Sequence, residues 1–104
     1  MKFQSTRDKS QTKYEAAFVI KQGLADDGGL FVPESIPKLS DADLKRLSTL
    51  PYAELAAEIL SLYLTDYSRS ELIEDAQKAY SSASFGADAC PLHEVNENTY
   101  SLEL

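Results

Sequence analysis

The sequence predicts an α+β fold, about four helices packed with a small, partly antiparallel sheet. Three observations carry that expectation. Ser or Thr residues followed three positions later by Asp or Glu stand ahead of apolar residues at helical spacing. Short alternating runs open and close the chain, as strands do. Turn-forming stretches such as Asp26-Asp27-Gly28-Gly29 and Asn96-Glu97-Asn98 lie between the periodic segments.

Lys2 to Arg7 alternates in character, so a short strand with Phe3 and Ser5 on one face is expected there. Asp8 to Gln11 has no apolar residue and reads as a loop. Thr12-x-x-Glu15 matches a capping box, in which the threonine hydroxyl accepts from the Glu15 amide while the glutamate reaches back. Tyr14, Ala17, Phe18, Ile20 and Leu24 then predict a helix over 13–22, with Gly23 as a left-handed cap. Gly28-Gly29 marks a turn, and Leu30-Phe31-Val32 follows as a strand stopped by Pro33, which lacks the amide a ladder needs. Ser40-x-x-Asp43 opens a second helix to about Leu47.

Pro51 suits the first position of a third helix, 51–64. Its Tyr52, Leu55, Ala56, Ile59, Leu60 and Tyr63 form an inward stripe, with Glu54, Glu58 and Ser61 facing away. Ser68-x-x-Glu71 opens a fourth helix to about Ser81, with Leu72, Ile73, Ala76, Ala79 and Tyr80 inward. Glu71, Glu74 and Asp75 favour the positive end of its dipole. Ser81 to Cys90 is a small, polar connector. Pro91 to Val95 and Thr99 to Leu104 flank Asn96-Glu97-Asn98 as a hairpin, with Tyr100, Leu102 and Leu104 on one face. Leu104 ends that alternation without a turn signal, cap or polar tail, so the chain is expected to continue.

The chain has 104 residues, 10 Lys plus Arg and 17 Asp plus Glu, for a net charge of -7. That is one domain, large enough to bury a core without a disulfide or metal. Hydrophobic residues at 43% and charged residues at 26% are globular values and exclude wholesale disorder. The acidic excess argues against a nucleic-acid partner or an anionic membrane surface, both of which need clustered Lys and Arg. Cys90 is the one cysteine, so a reducing, cytoplasmic setting is expected. No apolar run approaches the roughly 20 residues of a membrane span, and residues 1–10 lack a signal-peptide core.

Candidate chemistry is sparse. His93 has no partner at metal spacing and reads as a structural or solvent-facing strand residue. Cys90 has no neighbouring cation to activate its thiol. Asp26-Asp27-Gly28-Gly29 is a plain turn, or a loop whose glycine amides form an anion-binding nest against the repulsion of two aspartates. Ser5-Thr6-Arg7 offers two hydroxyls and a guanidinium for a phosphate or carboxylate, while Arg7 could equally pair with Asp8 or Glu15. The acidic spread of Asp41, Asp43, Glu54 and Glu58 reads as a solvated helix face, and the tyrosines as core. No glycine-rich nucleotide loop is present.

These residues also resemble a known family. Ser5-Thr6-Arg7, the Glu15-Ala16-Ala17 helix and the run Gly23 to Pro33 are similar to the N-terminal domain of threonine synthases. Ile36-Pro37, Leu50 to Ala56, Ala79-Tyr80, Pro91-Leu92 and Tyr100 to Leu104 extend the likeness over essentially the whole chain. The resemblance implies that residues 1–104 are a single N-terminal domain of a pyridoxal-phosphate-dependent lyase. That enzyme converts O-phospho-L-homoserine and water to L-threonine and phosphate. It further implies that the cofactor lysine lies in a Phe-Lys-Asp motif beyond Leu104, so none of Lys2, Lys9, Lys13, Lys21, Lys38, Lys45 or Lys78 takes that role.

The fragment alone is therefore expected to hold no catalytic or cofactor-binding residue, no metal and no cofactor, and to be inactive. Its expected partners are the catalytic domains of the same polypeptide, docked on an exposed apolar face, and the small-molecule substrate of the whole enzyme. The family places weight on Ser5, Thr6, Arg7, Asp27, Gly28 and Gly29, which are expected nearest the substrate. Two other readings stand beside this one: a threonine-synthase-like phospho-lyase with a different substrate, and a free-standing acidic interaction module.

Overall fold

A computed structural model describes residues 1–81, 84 and 89–103. In chain order the elements are β1 (Phe3–Ser5), α1 (Ala16–Gln22), β2 (Phe31–Pro33), α2 (Asp41–Leu47), α3 (Tyr52–Ser61), α4 (Arg69–Ala79), β3 (Leu92–Asn96) and β4 (Thr99–Leu102). The class is the expected α+β, with α1 to α4 as the helical elements among the described residues. The strands, however, form two separate antiparallel pairs, β1 with β2 and β3 with β4. Most of the connector 81–90 and the strand end at Leu104 lie outside the described residues.

β1 and β2 pair through Phe3↔Pro33, Gln4↔Val32 and Ser5↔Phe31, so Pro33 ends the strand rather than following it. The other edge of β1 explains why α1 starts late. Phe3 and Tyr14 exchange two backbone hydrogen bonds, each 2.9 Å, which hold Tyr14 extended. The Thr12 capping box therefore does not form: the Thr12 amide donates to Asp8 Oδ2 at 2.9 Å, and Glu15 pairs with Lys2. Asp66, from the α3–α4 loop, accepts from the Ala17 amide at 2.8 Å and caps α1 instead. Gly23 closes the helix at φ 78°, its amide donating to Val19.

The other two boxes form as the sequence predicts. Ser40 and Asp43 cap α2 reciprocally, and Ser68 and Glu71 cap α4. α3 follows Pro51 directly.

The main core is the α3–α4 seam, where Ala57, Leu72 and Ala76 are buried. Small residues let two helices approach closely, and the seam on α3 runs through Ala53, Ala56 and Ala57. Apart from Ala56, which borders both, the predicted inward stripe is rotated off that seam. Tyr52, Leu55, Ala56, Ile59 and Leu60 instead line, with Tyr80, an open apolar groove of about 330 Å³. The α1 face behaves likewise: Ala16 is buried, while Phe18, Ile20 and Leu24 are 47%, 58% and 60% exposed. Nor are the tyrosines core residues, since Tyr52 and Tyr100 are exposed and Tyr14, Tyr63, Tyr67 and Tyr80 only half-buried.

Glu58 also departs from expectation. It is 19% exposed and bridges Arg46 of α2 at 3.0 Å and Arg69 of α4 at 2.8 Å. Hydrogen bonds from Arg69, then Arg46, hold its carboxyl below the usual range. Three helices are joined through one carboxylate. The β3–β4 hairpin is exposed throughout and turns tightly at Glu97-Asn98, with Asn98 at φ 60°.

Candidate functional site

Ser5-Thr6-Arg7 and Asp27-Gly28-Gly29 are about 20 residues apart in sequence and meet in space. Ser5 ends β1, where its side chain turns inward and leaves the residue 7% exposed. Its hydroxyl donates to the Asp27 carboxylate, 2.7 Å from Oδ1 and 2.9 Å from Oδ2. The same oxygen accepts from the Arg7 amide at 3.2 Å. The Gly29 amide donates to Asp27 Oδ1 at 2.8 Å. Thr6 completes the clasp twice over. Its amide donates to the Leu30 carbonyl at 2.9 Å, and its hydroxyl accepts from the Leu30 amide at 3.1 Å.

The glycines are required by this geometry. Gly28 sits at φ 74°, and a Cβ there would lie 3.1 Å from Arg7 Nη1, so the guanidinium rests over a bare backbone. A Cβ on Gly29 would lie 2.2 Å from Ser5 Oγ. Their amides are not the open nest that the sequence allowed. Gly28 donates to the Ala25 carbonyl at 2.8 Å, and Gly29 to Asp27.

Arg7 pairs with neither Asp8 nor Glu15. Among the described residues its guanidinium makes no ion pair and no hydrogen bond, whereas Arg46 and Arg69 both hold Glu58. The surrounding carboxylates are already supplied with donors. Asp8 accepts from the Ser10 hydroxyl and the Thr12 amide, which hold its carboxyl well below the usual carboxylate range. Asp26 accepts from Gln22. Beside the clasp opens a cleft of about 280 Å³, whose lining includes the carboxylates of Asp8, Asp26 and Asp27 and the rings of Tyr14, Phe18 and Phe31. Those three rings pack together, Tyr14 stacking on Phe18 at 5.0 Å with Phe31 edge-on at 5.4 Å.

The remaining candidates stay apart from the clasp. His93 lies 3.5 Å from Glu103 on the exposed hairpin, and Cys90 Sγ lies 3.0 Å from the Tyr52 hydroxyl. No group of His, Cys, Asp and Glu among the described residues could hold a metal ion. No helix among them is long and apolar enough to cross a membrane.

The description "Threonine synthase N terminus" belongs to the family model that matches residues 2–80. The chain is a member of that family. A threonine synthase of Corynebacterium glutamicum is 36% identical over 105 residues, covering 96% of this chain and 22% of its own length. That of Eremothecium gossypii is 35% identical over 109 residues, covering 98% of this chain and 21% of its own. The chain thus spans about a fifth of the length of the curated relatives it matches. Among solved structures, the PLP-bound threonine synthase of Brucella melitensis superposes with a TM-score of 0.82 at 28% identity, over 99% of this chain and 22% of that one. The yeast enzyme gives 0.78 at 35% identity, over 88% and 18%.

A threonine synthase implies pyridoxal phosphate, and the residues of this domain do not fit that group. The cofactor needs a desolvated lysine beside a phosphate cradle. Every lysine here is exposed, with Lys2, Lys13 and Lys78 paired to carboxylates, and the cleft is walled by aspartates. Sequence reasoning also missed two contributors to the site's frame. Asp66 caps α1 from a distant loop, and the Leu30 backbone clamps Thr6. Neither carries a local signal, because both act through partners more than 20 residues away.

Proposed function

We propose that this chain is the N-terminal domain of a cytoplasmic, pyridoxal-phosphate-dependent threonine synthase that converts O-phospho-L-homoserine and water to L-threonine and phosphate. The match of nearly the whole chain to one fifth of several threonine synthases carries this reading. The cofactor, when bound, supplies the electron sink for the chemistry, and its lysine and phosphate cradle come from the rest of the polypeptide. The domain itself is structural and substrate-gating: it docks on the catalytic domains through its uncovered apolar faces and brings the clasp to the edge of their cleft. Exposure of Phe18, Ile20, Leu24, Tyr52 and Leu60 supports docking, since apolar groups gathered on two faces favour a partner over water.

The test is threonine and phosphate formation from O-phosphohomoserine by the polypeptide that carries this domain. Absence of both products refutes the activity. An unchanged KM and kcat in its Arg7→Ala variant refutes the gating role. A second reading, a related phospho-lyase with another substrate, is favoured by one observation. A mouse protein described as threonine synthase-like 2 is 37% identical over 65 residues. Phosphate release from a different phosphorylated amine, without threonine formation, would select it.

A further inference from the structure

Six residues were singled out at the clasp, and the geometry divides them into two kinds. Ser5, Thr6, Asp27, Gly28 and Gly29 direct their polar groups at one another or at the backbone of Ala25 and Leu30. Arg7 alone turns a charged group outward, exposed and unpaired among the described residues, over the bare backbone of Gly28. Asp8, Asp26 and Asp27 are all near in sequence or space, yet each carboxylate is met by hydroxyl or amide donors. A guanidinium kept out of ion pairs in so acidic a chain presents its donor fork to a group from outside. Planar N–H pairs recognise oxyanions in bidentate fashion.

Resting on the threonine synthase reading, we propose that Arg7 binds an oxyanion of the substrate, its phosphate or its carboxylate. Ser5, Asp27 and Gly29 are positioning residues that hold the Arg7 backbone. The surrounding carboxylates make Arg7 half a site: a free anion is repelled, and the substrate is held only with further donors from the catalytic domains. The Ser5 hydroxyl is the hinge of the device, because it accepts from the Arg7 amide while donating to Asp27. Losing either contact loosens the Arg7 backbone, although Thr6 still ties the preceding residue to Leu30.

The experiment uses the full-length enzyme. Wild-type enzyme that forms no threonine refutes the underlying reading, whatever its variants do. With an active wild type, Arg7→Ala is expected to raise KM roughly ten- to a hundredfold, the size of a lost hydrogen-bonded charge pair, with kcat changed less than about threefold. Arg7→Lys should recover part of the loss, since lysine keeps the charge without the fork. Two inhibitors separate the sources of the oxyanion. If 3-aminopropylphosphonate loses potency in Arg7→Ala, the phosphate is the ligand; if 2-aminobutyrate does, the carboxylate is.

For positioning, Asp27→Ala should raise KM in the same direction. Asp27→Asn should restore it, because its amide oxygen still accepts from Ser5 and Gly29. If Asp27→Ala does not fold, Ser5→Ala serves in its place. An unchanged KM in Arg7→Ala overturns the Arg7 assignment. A fall in Tm with KM unchanged in Asp27→Ala or Ser5→Ala overturns the positioning role.

Discussion

Replacing Gly29 with alanine puts a methyl group where the clasp has no room. The new Cβ would lie 2.2 Å from Ser5 Oγ, 2.9 Å from Asp27 Oδ1 and 3.1 Å from the Arg7 amide nitrogen. Carbon and oxygen in ordinary contact stand well over 3 Å apart, so the overlap with Ser5 alone exceeds about 1 Å. None of the three atoms is a free side-chain end. Ser5 is buried and bonded to Asp27, Asp27 to the Gly29 amide, and the Arg7 amide to Ser5. Relief therefore breaks the Ser5–Asp27 bond, a contact to a charged group worth about 1.5–3 kcal/mol. It also shifts backbone, at about 1–3 kcal/mol for overpacking. The two costs overlap, and a total of about 3 kcal/mol is expected. For a domain of this size that lowers Tm by roughly 12 °C or more. Thermal melting followed by circular dichroism measures it. Ser5→Ala removes the nearest clashing atom, so the double variant should melt above Gly29→Ala alone. A Gly29→Ala variant melting within about 2 °C of wild type would refute the close approach on which the clasp rests.

Three further outcomes are expected. Ser40→Ala and Asp66→Ala should each lower stability by about 1 kcal/mol, whereas Thr12→Ala should change it by no more than a few tenths, measured by urea denaturation; a large Thr12 effect would restore the box that β1 displaces. Glu58→Gln should lower stability at neutral pH by about 1 kcal/mol, its arginine partners being half-exposed and screened. Because folding depresses the Glu58 pKa, its contribution is complete above the unfolded value near 4.5 and is lost as pH falls through the folded one. The wild-type and Glu58→Gln melting curves should converge on acidification, and a gap that widens would contradict the sign. Leu72→Ala in the α3–α4 seam should cost about 3 kcal/mol, while exposed Ile20→Ser should stay within about 0.5 kcal/mol.

What could be read from the sequence was chiefly local. Ser40 and Ser68 cap their helices through partners three residues on, and Asn98 turns the hairpin within its own loop. Thr12 has the same spacing and fails, because the Phe3–Tyr14 bridge claims the backbone first. Spacing placed Leu55, Ile59 and Leu60 on one face of α3 without saying which neighbour the face meets. The seam was won by Ala53 and Ala57, small residues that pack with Leu72 and Ala76 of α4. Glu58 looked solvated because its two arginines arrive from other helices. At the clasp, residue types suggested anion chemistry, but only three dimensions separate Arg7, which faces outward, from Ser5 and Asp27, which face each other.

The Asp66 cap bears on the order of folding. The carboxylate that starts α1 lies 49 residues downstream of the amide it meets, beyond α3 in the chain. A seven-residue helix does not persist alone in water. α1, although it precedes α3 and α4 in the sequence, is therefore expected to wait for the α3–α4 pair to present its loop. Substitutions in α1 should alter unfolding rates and leave folding rates nearly untouched, with φ-values near zero, while those at Ala57 and Leu72 slow folding.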